Sequence, residues 1–127
     1  MGESIKEVRI SRELLEYILD VAKDFYPNEF AGFLREENGV FEEVLIAPAG
    51  HFGSSSVFFN TWMLPHDETI KGTVHSHPVP VATPSEADLS FFSKFGGVHL
   101  IVYWPFDEDS VVAYSSSGER LRIVVVD

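Results

Sequence analysis

The chain contains no cysteine. Disulfides, thiolate metal sites and any cysteine nucleophile are therefore excluded, so a hydrolytic activity would have to run through a metal or carboxylates. Glutamine is also missing and asparagine occurs only at positions 28, 38 and 60, a composition that leans toward heat-stable proteins. Wholly apolar runs are short, as in Val124-Val125-Val126, so no stretch approaches membrane-spanning length and no membrane partner is expected. The start, Met1-Gly2-Glu3-Ser4-Ile5-Lys6, lacks an apolar signal core, and Lys6 breaks the myristoylation pattern. These absences lead us to expect a soluble, cytoplasmic protein. Basic residues are scarce too: 9 against 20 acidic ones, for a formal net charge of −11. That field repels a phosphate backbone, so nucleic acid is not an expected partner. The acidity reads first as solubility and second as attraction for lysine-rich substrate regions.

What is present fits one domain spanning residues 1–127, long enough for a single core. Ser11 can cap a helix running to about Tyr26, with Leu14, Leu15, Ile18, Leu19, Val21, Ala22 and Phe25 on one broad apolar face and Pro27 ending it. Glu29 to Leu34 and Val40 to Ala47 read as strands joined through the hairpin signal Asn38-Gly39. Ser54 to Phe59 reads as a further strand, while Thr61 to Ile70, interrupted by Pro65, is expected to be irregular. Gly72 to His77 is a strand, and Pro84 to Phe95 is a second helix with Ala87, Phe91, Phe92 and Phe95 inward and Gly96-Gly97 as its stop. Val98 to Trp104, Ser110 to Ser115 and Arg120 to Val126 complete a meander. The expected fold class is α/β, a mixed β-sheet flanked by two helices.

The segment Thr73-Val74-His75-Ser76-His77-Pro78, followed by Pro84-Ser85 and Asp88, carries the chemistry. In an extended strand alternate side chains share a face, so His75 and His77 aim at one point with Ser76 turned away. Asp88 lies at a helix start beyond a proline-containing loop, and Ser85, three residues earlier, shares its helical face. Two imidazoles and a carboxylate are borderline donors that favour zinc over calcium or magnesium, and three protein ligands leave a fourth tetrahedral position for water. An open position belongs to a catalytic site, where zinc makes water a nucleophile at neutral pH. The competing reading of Ser85 and Asp88 is a helix-capping pair. Thr83 as N-cap, Pro84 at the first helical position and Glu86 closing the box form a rival start signal that would leave Ser85 and Asp88 free.

His75-Ser76-His77-Pro78, with eight positions from His77 to Ser85 and three more to Asp88, resembles the signature of the JAMM/MPN+ metalloproteases, the Mov34/MPN/PAD-1 family. Pro27-Asn28-Glu29-Phe30-Ala31-Gly32-Phe33-Leu34 resembles the upstream segment in which that family carries a glutamate, and the resemblance runs from Ile10 to about Val125, closest to small single-domain archaeal members. It implies an MPN/JAMM, cytidine-deaminase-like architecture and one zinc ion held by His75, His77 and Asp88. It further implies Glu29 as general base and then acid, and Ser85 as a donor to the oxyanion. The implied reaction is hydrolysis after the C-terminal glycine of a ubiquitin-like modifier, releasing it from lysine-linked conjugates. Alternatives are a peptidase trimming the tail of a sulfur-carrier or ubiquitin-like precursor, and a non-catalytic MPN scaffold. The chain lacks room for the insertions by which larger relatives read polyubiquitin linkage, which favours a small archaeal-type modifier.

Glu29 would not stand out among so many acidic residues by itself, but its apolar neighbours Phe30 to Leu34 make partial burial plausible, which suits a proton acceptor. His51, His66 and His99 lack partners at ligand spacing and read as structural. Phe58, Phe59, Trp62 and Met63 read as core, with a groove wall as the alternative. A strand at Val57, Phe58 and Phe59 beside the ligand strand is the candidate substrate-binding edge, since family members pair such an edge with the tail of a ubiquitin-like protein.

Overall fold

Strand β1 (Glu7–Ser11) runs straight into helix α1 (Arg12–Phe25), and the Ser11 side chain accepts a hydrogen bond from the Leu14 amide at 3.1 Å. The expected apolar face of α1 is the buried one: Leu14, Leu15, Ile18, Leu19, Val21 and Ala22 are all inside, and Phe25 packs against them. Strands β2 (Ala31–Glu37) and β3 (Val40–Ile46) follow, joined at Asn38 (φ 53°) and Gly39 (φ 81°). Both residues take the left-handed conformation that a tight hairpin turn demands. Then come β4 (Ile70–His77), α2 (Glu86–Phe95), β5 (Val98–Tyr103), β6 (Val111–Ser115) and β7 (Arg120–Val126). The computed structural model describes residues 7–47 and 67–127. The expected strand at Ser54 to Phe59, with its edge residues Val57, Phe58 and Phe59, and the positions His51, Trp62, Met63 and His66, lie outside the described residues.

The sheet is mixed, as expected, and it also closes on itself in the order β1-β3-β2-β4-β5-β6-β7. β1 makes the closure. It pairs parallel with β7 from Glu7↔Arg122 to Ser11↔Val126, and touches β3 at Ile10↔Phe41. β4 lies between β2, to which it is antiparallel, and β5, to which it is parallel. Alternation along the strands sorts side chains between the two helices. Val74, Val98, Leu100, Val102 and Ala113 join the core under α1, whereas Ile101, Val112 and Tyr114 face Phe92 of α2. Each helix therefore covers one face.

Several boundaries depart from expectation. β2 begins at Ala31 rather than Glu29, because the chain before it peels away from the ladder: the Phe30 amide bonds to a side chain, Ser76 Oγ, at 2.8 Å. Helix α2 begins at Glu86, with Ser85 as its N-cap in an extended conformation (φ −77°, ψ 170°), so Thr83 is not the cap and Pro84 precedes the helix. The physical reason is that Ser85-x-x-Asp88 is itself a capping box, and serine is at least as good an N-cap as threonine. Ala87 is exposed rather than inward, and the inward face is Phe92 flanked by the partly buried Phe91 and Phe95. Gly96 ends the helix with φ 79°, as its sequence signal predicts.

His99 is a structural residue, as read from the sequence. It is fully buried on β5, where Nδ1 accepts from the Thr73 hydroxyl and Nε2–H donates to the Gly96 carbonyl, both at 2.7 Å. Its ring stacks on Phe92 at a centroid distance of 4.2 Å, tying the end of α2 to β4 and β5. Burial pushes this imidazole down to about 4, against the opposing effect of the Gly96 carbonyl.

Candidate metal centre

The end of β4 places His75 and His77 on the α2 side of the sheet, the face opposite Val74. Their Nε2 atoms lie 3.2 Å apart. Asp88, in the first turn of α2, brings Oδ2 to 3.4 Å from His75 Nε2 and 3.7 Å from His77 Nε2. A tetrahedral zinc with ligands at about 2.0–2.1 Å has edges of about 3.3–3.4 Å between ligand atoms, so this triangle fits one ion without rearrangement. Among the described residues this is the cluster of three histidine or carboxylate side chains whose ligand atoms all approach one another closely enough to share an ion. The expected ligand trio is thus brought together.

The surrounding contacts orient the trio. His77 Nδ1–H donates to the Val81 carbonyl at 2.8 Å, which fixes the tautomer that leaves the Nε2 lone pair pointing into the cluster. The loop bearing Val81 is held in turn by the Tyr114 hydroxyl, which donates to the Ala82 carbonyl at 3.0 Å. His75 is buried beside Phe92, and its Nδ1 is a buried side-chain nitrogen without a hydrogen-bond partner among the described residues.

Capping and ligation are not alternatives here. The Ser85 amide donates to Asp88 Oδ2 at 2.9 Å, and the Asp88 amide donates to Ser85 Oγ at 3.0 Å. The same Oδ2 faces the two imidazoles, so the box holds the carboxylate where it could share an ion with them. In its capping role Ser85 Oγ uses a lone pair, and its O–H remains able to donate elsewhere.

Charge is strongly coupled in this cluster. Burial disfavours a charged Asp88, but the facing imidazoles of His75 and His77 and the Ser85 amide outweigh it and hold the carboxyl well below its usual range. Burial likewise works against a charged His77. The Asp88 carboxylate, the Val81 carbonyl and the nearby charge of Glu29 overcome it and raise the imidazole. Glu29 is half-buried and close enough to act on His77 through its charge. Sequence reasoning missed Ser76, whose fully buried hydroxyl binds the backbone next to Glu29; only three-dimensional proximity reveals it.

A site of two imidazoles, one carboxylate, a neighbouring hydroxyl and a nearby glutamate can hold a Lewis-acidic ion and move protons beside it. The family model for prokaryotic homologs of the JAB domain matches residues 11–116. A curated relative from Haloferax volcanii, described as a probable metalloprotease, is 33% identical over 130 aligned positions, covering 94% of this chain and 80% of its own length. A JAB1/MPN domain protein from Archaeoglobus fulgidus has a similar crystal structure, with a TM-score of 0.77 and 39% identity over 94% of this chain and all of that one. A second solved structure, described as JAMM, a metalloprotease-like zinc site in the proteasome and signalosome, aligns with a TM-score of 0.74 and 37% identity, covering 98% of this chain and all of that one.

Proposed function

Because this chain belongs to the prokaryotic JAB-domain homologs, and so is a small member of the JAMM/MPN metalloprotease family, we propose that it is a zinc isopeptidase that cuts after the C-terminal glycine of a ubiquitin-like modifier. The observation that carries this reading is the triangle of His75, His77 and Asp88 ligand atoms beside the Ser85 hydroxyl. His75, His77 and Asp88 would hold one zinc ion, which when bound supplies a Lewis acid that makes water nucleophilic at neutral pH.

The remaining steps fall to the chain's own residues. Glu29 accepts a proton as the water oxygen attacks the scissile carbonyl carbon. Ser85 Oγ–H donates to the carbonyl oxygen as it gains negative charge. The C–N bond then breaks, and Glu29 returns the proton to the departing amine. Ubiquitin-like modifiers and their lysine-linked conjugates are the partners of this reaction, and the cytoplasm is its place.

Three substrates test the reading: a modifier joined to lysine through Gly-Gly by an isopeptide bond, the same modifier with a linear C-terminal extension, and unstructured casein. Preferential cleavage of the isopeptide is expected, and replacing the final glycine by valine should nearly abolish it. Preference for the linear extension would instead make the protein a precursor-trimming peptidase. No cleavage of any of the three by zinc-loaded protein would leave a scaffold role.

A further inference from the structure

Ser76 lies between the two histidine ligands, yet its side chain points to the opposite face of β4, where it is fully buried on the α1 side. Its backbone amide donates to the Phe30 carbonyl at 3.0 Å, and its Oγ accepts from the Phe30 amide at 2.8 Å. Phe30 is itself fully buried, so its N–H has no solvent to turn to. The pair sits where β2 has just begun, one step beyond the Ala31↔His75 register. Here the side chain supplies an acceptor where the main chain of the incoming segment leaves the sheet. The residue thus pinned on both sides is the immediate neighbour of Glu29, which stands two residues before Ala31, the register partner of His75.

We infer that Ser76 is a positioning residue that fixes Glu29 relative to the metal ligands by clamping the Phe30 backbone to β4. The inference rests on Glu29 being the proton-transfer group proposed above. Strand β4 then carries both halves of the device: His75 and His77 hold the ion on one face, and Ser76 sets the base from the other. Without the hydroxyl the Phe30 N–H loses its acceptor and only the Phe30 carbonyl stays bonded, to the Ser76 amide, so the chain from Pro27 to Phe30 gains freedom to shift. A proton-transfer group displaced by about 1 Å loses on the order of 10²-fold in rate.

The first test is amide hydrogen exchange at Phe30 in zinc-loaded protein. Ser76→Ala should speed exchange at this amide by about tenfold or more, while Ser76→Thr, which keeps the hydroxyl, should restore protection. Unchanged protection in Ser76→Ala would overturn the clamp. The second is a double-mutant cycle on the isopeptide-linked Gly-Gly substrate. Ser76→Ala alone should lower kcat roughly tenfold or more with zinc stoichiometry and KM retained. In a Glu29→Gln background it should cost almost nothing further, because the group it positions is already gone. Additive losses would overturn the inference and leave Ser76 a packing residue. If Glu29→Gln keeps full activity, the proposed role of Glu29 fails instead, and the exchange measurement still decides whether the clamp exists. Should Ser76→Ala not fold, Ser76→Cys, with a sulfur that accepts poorly, carries the same readouts.

Discussion

Ser85 and Asp88 hold each other: the Ser85 amide reaches Asp88 Oδ2 at 2.9 Å, and that oxygen stands 3.4 Å from His75 Nε2 and 3.7 Å from His77 Nε2. One local helix-start motif therefore sets the rotamer of a candidate metal ligand. The loop between His77 and Ser85 has only to deliver the first turn of α2 to the right place, since the carboxylate is already aimed when it arrives.

The double duty of Ser85 separates in mutants. Ser85→Ala removes both the cap and the hydroxyl donor, and should cost about 1 kcal/mol of stability together with roughly 10²-fold in kcat. Ser85→Thr keeps both functions and should remain stable and active. Ser85→Asp can still cap but cannot donate, so it should melt near wild type while losing activity. Thermal melts beside steady-state kinetics check this, and full activity in Ser85→Asp would remove the oxyanion role.

Glu29→Gln retains shape and hydrogen-bonding capacity but cannot take a proton. Turnover of the isopeptide substrate should fall by about 10²-fold or more, with zinc binding unaltered. Metal analysis and single-turnover kinetics on the same preparation make the comparison, and undiminished turnover would assign proton transfer to another group.

His99 gives the fold an acid sensitivity with a defined sign. Its ordinary value is 6.5 and burial lowers it to about 4 in the folded protein, so the unfolded chain takes up the proton first as pH falls. Stability from the neutral ring is complete above 6.5 and is lost progressively as pH drops toward 4. Over that window wild type should lose on the order of 3 kcal/mol relative to His99→Gln. Urea unfolding of both proteins at several pH values tests the difference, and parallel pH profiles would contradict it.

The pairing of His75 and His77 on one face of β4 was legible because strand alternation is a local rule that holds whatever the sheet does. The sequence also predicted α1, whose apolar face, Ser11 cap and Pro27 are all contiguous. It misplaced the start of α2 because Thr83-x-x-Glu86 and Ser85-x-x-Asp88 both satisfy the same local grammar. Contact with His75 and His77 across space favours the second. β1 escaped notice for a related reason. Glu7-Val8-Arg9-Ile10-Ser11 does alternate polar and apolar, but the run is only five residues long, leads directly into a helix, and has its partners far away at Phe41 and Arg122 to Val126. The bond from Phe30 to Ser76 spans 46 positions and leaves no trace in either neighbourhood.

The zinc content of purified wild type and Asp88→Ala tests the central claim most directly. Two imidazoles without the carboxylate make too poor a site to keep the ion through dialysis. Wild type should carry one zinc per chain, and Asp88→Ala, folded but with a weakened α2 cap, should carry little. Stoichiometric zinc in Asp88→Ala, or none in wild type after zinc loading, would contradict the assignment of His75, His77 and Asp88 as the metal centre.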